Sequence, residues 1–546
     1  MTQTEKALTR LDQFVRQRMQ VDNTPGLTLA ITDRERTLHA ATYGYADLAA
    51  KTPVTPDTLF EIGSIGKSFT GIALVQLAEA GQIDVHAPVS RYLSWFDIPS
   101  EFEPITPHHL LSHTAGITAG MDATPEAMYQ VWALRELRAA CPPGSAFHYS
   151  NLGFKALGLV LEAVVGQGYG DIIQERLLEP LGMVSSIPAI THDDRARLAV
   201  GYQSLYDDRP PQRHDPLVPS PWIETDTGDG SIAATAGDMA VYLRLLLNRG
   251  QGPRGPILDE AGFARFTQRA IEIPGSAGSR FYGYGIYTSL VDGHTWHLHG
   301  GGMIGYLAMD YADLDDGIGV IAMINGPGSP VAIARAALEL FQAAIHDRPL
   351  PSPAVEDPRE TEGAAGYAGV FSTGDTTIEL VADGPRLELR YGGDGIVLEP
   401  YGDDSFTVNH PAFARFLLRF ERNDDGRVVA VAHGGDWYAS EREPASTAPD
   451  YPPAWDAYAG HYRAHNPWAP TFRVIPRRGR LWLDFPLEPD GFDDEQPLIS
   501  LADGTFQSGE GPCQPERIRF DTIVDGRALR ATLSGADYYR VEAVRR

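Results

Sequence analysis

The last third of the chain is written twice. Tyr367-Ala368-Gly369 returns as Tyr458-Ala459-Gly460, Phe406 as Phe506, and Arg419-Phe420-Glu421 as Arg519-Phe520-Asp521. Asp425-Gly426-Arg427 returns as Asp525-Gly526-Arg527, and Asp436-Trp437-Tyr438 as Asp537-Tyr538-Tyr539. After the first match the offset stays at, or within one residue of, 100. Two copies are too few for a solenoid, in which neighbours must stack to close a core. Each copy carries short alternating runs, such as Arg386–Tyr391 and Arg480–Phe485, broken by Asp-Gly turns, which is the pattern of antiparallel strands. The repeat predicts two small antiparallel β-barrels, over residues 367–442 and 457–546. Proline-rich linkers precede them, at 348–366 (Pro349, Pro351, Pro353, Pro358) and 443–456 (Pro444, Pro449, Pro452, Pro453).

Residues 1–347 read as a separate mixed domain. An amphipathic helix is expected over Thr4–Gln20, with Leu8, Leu11, Phe14 and Val15 on one face. Paired strands follow at Gly26–Asp33 and Leu38–Gly44, then a helix over Gly66–Ala80 stopped by Gly81. Helices are also expected at Ile172–Leu178, Ala240–Asn248 and Val331–Ile345, and strands at His294–Leu298 and Gly317–Ile324. Sheet at both ends and helix in the middle predict one sheet assembled from both ends of the domain, with a helical insert over roughly Tyr92–Pro221.

The 546 residues are 43% hydrophobic and 21% charged, enough apolar material for ordinary cores. A net charge of −27 repels phosphate backbones, so no nucleic-acid partner is expected. The two cysteines, Cys141 and Cys513, form no disulfide framework and no metal pattern. The opening residues carry charges throughout and lack the apolar core of a signal peptide, and no run reaches the length of a membrane span. A cytoplasmic protein without a membrane partner is the expectation; oligomeric state is not readable.

Three motifs carry chemistry. Ser64-Ile65-Gly66-Lys67 is a Ser-x-x-Lys at a helix start, and its spacing places both side chains on one face. A lysine of lowered pKa can take the serine proton, and the free N–H groups of the helix start can bind an oxyanion. On its own this motif is also met as a capping serine with a solvated lysine. Tyr149-Ser150-Asn151 adds a phenol able to act as base and then acid, and an amide able to hold a substrate carbonyl or Lys67. His299-Gly300-Gly301-Gly302 ends a strand with residues that let substrate approach the backbone; His299 could meet the Tyr149 oxygen or a substrate carboxylate. His113 reads as a buried structural histidine, and His108 and His109 as members of a polar turn. Trp222 and Tyr306 read equally as pocket aromatics or core.

In this order the three motifs resemble those of the penicillin-recognising serine hydrolases: class C β-lactamases, DD-peptidases, D-aminopeptidases and related esterases. Leu110–Ile117 (LLSHTAGI) and Tyr282–Gly285 (YGYG) are similar to segments that recur in that family. The resemblance covers roughly residues 5–346. It implies an α/β (α+β) β-lactamase-like domain, an antiparallel sheet flanked by helices, followed by two lipocalin-like barrels. It implies catalytic roles for Ser64, Lys67 and Tyr149, substrate and oxyanion roles for Asn151, His299, Gly301 and Gly302, and no metal or cofactor. Class C β-lactamases and most DD-peptidases carry lysine where this chain has His299; histidine with glycines is similar to the D-aminopeptidases and many of the family's esterases. The expected activity is therefore a peptidase or amidase on a small-molecule or short-peptide substrate, with a carboxylesterase as the alternative and a non-catalytic sensor on the same scaffold as the rival from another class.

Overall fold

The computed structural model describes residues 2–120, 126–374, 376–441, 452–487 and 494–541. They form two compact units. The first holds Met1–Gln203, Leu217–Ala354 and Pro512–Pro515; the second holds Ser204–Pro216, Val355–Gly511 and Glu516–Arg546.

The first unit opens with helix α1, Gln3–Asp22, started by a capping box between Thr2 and Glu5. Its buried stripe is Ala7, Leu11, Phe14, Val15 and Met19; Leu8, expected in that stripe, is only partly buried. Strands β1 (Gly26–Thr32), β2 (Thr37–Asp47) and β3 (Thr52–Pro53) follow. Helices α2 (Gly66–Glu79), α3 (Asn151–Val165) and α4 (Ala236–Leu247) come next, then six strands. These are β4 (Ile271–Glu272), β5 (Arg280–Tyr282), β6 (Tyr287–Val291), β7 (His294–Met303), β8 (Tyr306–Asp313) and β9 (Ile318–Ile324), and helix α5 (Pro330–Ile345) closes the unit.

The nine strands form one antiparallel sheet in the order β4-β5-β6-β7-β8-β9-β1-β2-β3. The join between the two ends of the domain is β1 on β9, with Leu29 opposite Ala322, as the sequence pattern predicts. Every residue of β1 and β9 is buried, so both faces of the sheet's centre are covered, which explains their unbroken apolar runs. Helix α5 packs on α1, β8 and β9, and α4 packs on β9 and β1. A β-carbon at Gly319 of β9 would sit 3.0 Å from Leu243 of α4, so the glycine sets that approach.

Two expectations need correction. The strand at His294 does not end at the glycines but runs through them to Met303 and turns into β8. The stretch expected as one helix over Ile172–Leu178 is an α-turn, Tyr169–Ile173, followed by a π-turn, Gln174–Leu178. Among the described residues no single helix is long and apolar enough to cross a membrane.

The second unit contains both predicted barrels. Nine strands between Gly369 and Ser440 make one antiparallel sheet whose first and last strands pair at Phe371 and Ser440; its two edge strands, Asp394–Val397 and Glu399–Gly402, do not pair with each other. Eight strands between Gly460 and Val541 form a closed barrel, sealed where Tyr462 faces Arg540. The sequence repeat marks equivalent core positions. Tyr367 lies edge-on to Phe406 and Phe420, at 5.2 and 4.9 Å between ring centroids. Tyr458 meets Phe506 and Phe520 at 5.7 and 4.6 Å. Aromatic clusters bury large areas, so these positions recur because each barrel closes its core around them. Most of the second linker lies outside the described residues; Pro453–Ala457 form a 3-10 turn.

Candidate active site

Ser64 sits where a short strand gives way to a helix. Phe60 and Glu61 pair with Ala234 and Ala233, and Ile62 N–H donates to Ile232 O at 3.0 Å. The chain then makes a 3-10 turn over Gly63–Ile65 before α2 begins at Gly66, so Ser64 lies just ahead of the helix rather than in it. The three-residue spacing still brings the side chains together. Lys67, fully buried, donates from Nζ to Ser64 Oγ at 2.9 Å and to Asp229 O at 2.8 Å. Its Nζ lies 5.0 Å from the ring centre of Tyr149 and 5.7 Å from that of Phe154.

Tyr149 is held by what surrounds Ser150. The Ser150 hydroxyl caps α3, accepting from Gly153 N–H at 3.1 Å and donating to Thr118 O at 2.6 Å. Ser150 N–H donates to His113 Nδ1 at 3.0 Å, and the His113 ring lies 4.2 Å from that of Tyr149 and 4.7 Å from that of Tyr282. Nδ1 is therefore the acceptor and Nε2 carries the proton. Burial, with the Lys67 charge beside it, holds His113 well below its ordinary pKa and so neutral. It is the buried structural histidine the sequence suggested, and it aligns Tyr149. Asn151 is the first residue of α3, its N–H bonded to Ala119 O at 2.9 Å.

The glycines of β7 bring a third backbone segment to Ser64. An ideal β-carbon on Gly63 would lie 2.6 Å from Gly302 O and 2.7 Å from Gly302 N. One on Gly301 would overlap Ile62 O and lie 3.3 Å from Ser64 N. The Gly301–Gly302 backbone thus runs directly against Ile62–Ser64, and side chains are excluded from the contact.

His299 is oriented differently from the expectation. Its Nδ1–H donates to Gly300 O at 2.5 Å, and Tyr282 OH donates to its Nε2 at 3.0 Å. Its ring centre stays 6.5 Å from that of Tyr149. Both ring nitrogens are committed, and burial pushes its pKa down to about 3. His299 therefore brings no positive charge for a substrate carboxylate. His299 N–H donates to Asp310 Oδ1 at 2.6 Å, and burial pushes the Asp310 carboxyl up to about 7.

Some neighbours were not singled out from sequence. Lys155, buried and one turn beyond Asn151 on α3, lies 3.7 Å from Asp229 Oδ2 and donates to Gln130 Oε1 at 3.0 Å. Asp229 Oδ1 also accepts from Thr227 at 2.7 Å, so the residue whose carbonyl receives Lys67 is pinned by its own side chain. The signal for Lys155 was its i+4 spacing from Asn151; nothing local marked Asp229. Tyr282 lay within the YGYG segment, and Asp310 became visible only through its register opposite His299. His108 and His109 belong to a short helix, Pro107–Leu111, not a turn; His109 Nδ1 accepts from Thr106 N–H at 3.2 Å and His108 Nδ1 meets Tyr284 OH at 2.8 Å. Tyr306 is core, its hydroxyl on Ala199 O, and Trp222 packs against the small cluster around Ile187 and Leu198.

Among the described residues, His294, Asp313 and Asp315 offer ligand atoms within 4.8 Å of one another. Their oxygens already have work: Asp313 Oδ2 accepts from His294 and Gln342, Asp313 Oδ1 from the amides of Asp315 and Asp316, and Asp315 Oδ2 from Thr295 N–H. This is a hydrogen-bonded turn.

Glu61, three residues before Ser64, is buried, and burial pushes its carboxyl up to about 8. The folded state therefore holds this proton more tightly than the unfolded chain, whose ordinary value is 4.5. Its contribution is most favourable below that value and is lost as pH rises towards about 8. Glu61→Gln should remove the loss: relative to wild type, the variant gains stability between pH 5 and 8, by at most about 1.4 kcal/mol per pH unit. Urea titrations at both pH values would measure it, and parallel curves would show that the carboxyl is not buried.

The sequence pattern of the Beta-lactamase family matches residues 11–345. Putative beta-lactamase-like 1 of Homo sapiens is 26% identical over 514 residues, covering 87% of this chain and 95% of that one. Protein flp of Staphylococcus aureus (strain N315) is 26% identical over 255 residues, 45% of this chain, which spans about half of the relative's length (50%). Among solved structures, the octameric penicillin-binding protein homologue from Pyrococcus abyssi has the same fold, with a TM-score of 0.60 at 23% identity, over 88% of this chain and 98% of that one. The matched stretch holds Ser64, Lys67, Tyr149, Asn151 and His299, and the chain belongs to the β-lactamase family of penicillin-recognising serine hydrolases.

Proposed function

We propose that this hydrolase forms an acyl ester on Ser64 and acts on small peptides or amino-acid amides. The observation that carries the reading is the 2.9 Å contact between Ser64 Oγ and the buried Lys67 Nζ, beside the Tyr149 ring. Lys67, as a neutral amine, takes the Ser64 proton while Oγ attacks the substrate carbonyl carbon. The oxyanion settles on the amides of Ser64 and Gly302. Tyr149 passes a proton to the leaving nitrogen, and Asn151 orients the acyl group. Water then attacks the ester, with Tyr149 as base, and Ser64 regains its proton.

The character of His299 supports the choice of substrate. A neutral imidazole with both nitrogens engaged gives a terminal carboxylate no counter-charge. Substrates without a carboxylate at that point, such as aminoacyl amides, suit it better than β-lactams.

The test is a fluorophosphonate probe followed by a substrate panel. The label should map to Ser64, and D- or L-aminoacyl p-nitroanilides should be cleaved well ahead of nitrocefin. Fast turnover of p-nitrophenyl esters with no amide cleavage would instead establish a carboxylesterase. Binding of the panel without any turnover would establish a sensor.

A further inference from the structure

The second unit contains a pocket of about 570 Å³, within the range of small-molecule sites. Its wall carries Arg415, Arg473, Arg527, Arg540 and His461, and its lining residues include no Asp or Glu. This is unusual in a chain with 72 acidic and 45 basic residues.

Only one of the four arginines has a carboxylate partner among the described residues. Arg473 is buried and paired, Nε to Asp484 Oδ2 at 2.5 Å. Arg540 donates from all three nitrogens to uncharged acceptors: Ala528 O at 2.7 Å, Ala459 O at 2.6 Å, and Ala457 O and the Tyr462 hydroxyl at 2.7 and 3.1 Å. Its donors are satisfied but its charge is not. Arg540 is also held open by Gly460, since a β-carbon there would overlap its guanidinium. Arg415 lies with its guanidinium carbon 5.9 Å from the Phe416 ring centre, and its buried Nε has no hydrogen-bond partner. Among the described residues, Arg415, Arg527 and Arg540 form no ion pair.

Of the acids that meet these residues, Asp484 is engaged by Arg473, and Asp208 gives Arg473 its backbone carbonyl at 3.3 Å while its charge acts on His461 and Arg473. Burial and the charges of Arg473, Arg415 and Arg463 push His461 down to about 4, so it stays neutral. The rest of the wall is apolar, with Phe416, Ile475 and Val541.

We propose that this pocket binds a small organic anion, a carboxylate or phosphate head on an apolar body, with the head hydrogen-bonded to Arg415 and Arg527, the Arg540 charge beside them, and the body against Phe416 and Ile475. Guanidinium groups suit either head by paired, charge-assisted hydrogen bonds. Arg415 and Arg540 are partly buried and meet no carboxylate among the described residues, and an incoming anion would supply the counter-charge. The anionic surface elsewhere does not compete for such a ligand.

Calorimetric titration of the full-length protein tests this, with octanoate, octyl phosphate and octanol, all below micelle formation. Both anions should bind, octanol at least about tenfold more weakly, and the ratio of the two anions identifies the preferred head. Arg415→Gln should weaken anion binding about tenfold or more, while Ser64→Ala leaves it unchanged, which separates this pocket from the serine site. A far-UV circular dichroism spectrum and thermal unfolding curve that match the wild type show that Arg415→Gln is folded in both units. If that variant does not fold, Arg527→Gln at the exposed rim should weaken binding about threefold or more. Equal affinity for octanol, unchanged affinity in both arginine variants, or no binding of either anion at millimolar concentration would each overturn the proposal.

Discussion

Lys67→Met is expected to lower acylation of Ser64 by about 10³-fold or more at pH 7 without unfolding the protein. Lys67 Nζ lies 2.9 Å from the serine hydroxyl, and Nζ is also anchored by Asp229 O at 2.8 Å. Methionine keeps about the length of the side chain and its apolar stem in the same buried slot, so the fold should survive. Ser64→Ala should abolish covalent labelling outright. Single-turnover reaction with a fluorophosphonate or p-nitrophenyl ester gives the rate directly. Labelling of Lys67→Met at the wild-type rate would mean that another group takes the proton. His113 and His299, whose rings lie 4.2 and 6.5 Å from that of Tyr149, are both buried with ring nitrogens engaged by Ser150 and Tyr282.

Gly301→Ala should be nearly as damaging, for a reason unconnected with proton transfer. Its β-carbon would overlap Ile62 O, and Ile62 is the residue that starts the Ser64 turn. Either the turn or β7 must move, and a displacement of about 1 Å at a reacting centre costs on the order of 10² in rate. Overpacking at a backbone contact also destabilises by about 1–3 kcal/mol, visible as a lower Tm. The neighbours provide the control. A β-carbon on Gly300 would first meet Met309 Sδ at 3.7 Å, and one on Gly302 would meet Leu307 Cδ2 at 3.7 Å, both ordinary contacts. Gly300→Ala and Gly302→Ala should therefore stay within about threefold of wild type. Equal losses at all three positions would show that glycine flexibility, not space, governs this strand.

The two predictions divide along what could be read in advance. Ser64 and Lys67 lie three residues apart, and a helical start brings such residues together whatever surrounds them. The same local logic placed α2, α5, the β1–β9 pairing and both barrels, where the repeat of Tyr, Phe and Arg-Phe positions reported a core that each copy has to close. Tyr149 and Asn151 were legible as motif members but not as neighbours of Lys67. That nearness depends on His113 bonding to Ser150 across 37 residues.

The features missed are pairings across long stretches of chain. Tyr282 engages His299, Asp310 lies opposite it in the β7–β8 register, and Lys155 meets Asp229. Each partner is an ordinary polar residue in its own segment. The elements, the repeat and the short-range Ser64–Lys67 geometry follow from periodicity and backbone stereochemistry, which neighbouring residues carry among themselves. The neutral His299 turned to Tyr282, the bare Gly301 and the four arginines that line one pocket of the second unit arise instead from contacts between distant segments. Those outcomes depend on desolvation and close approach, which exist only once distant segments have excluded water from the space between them.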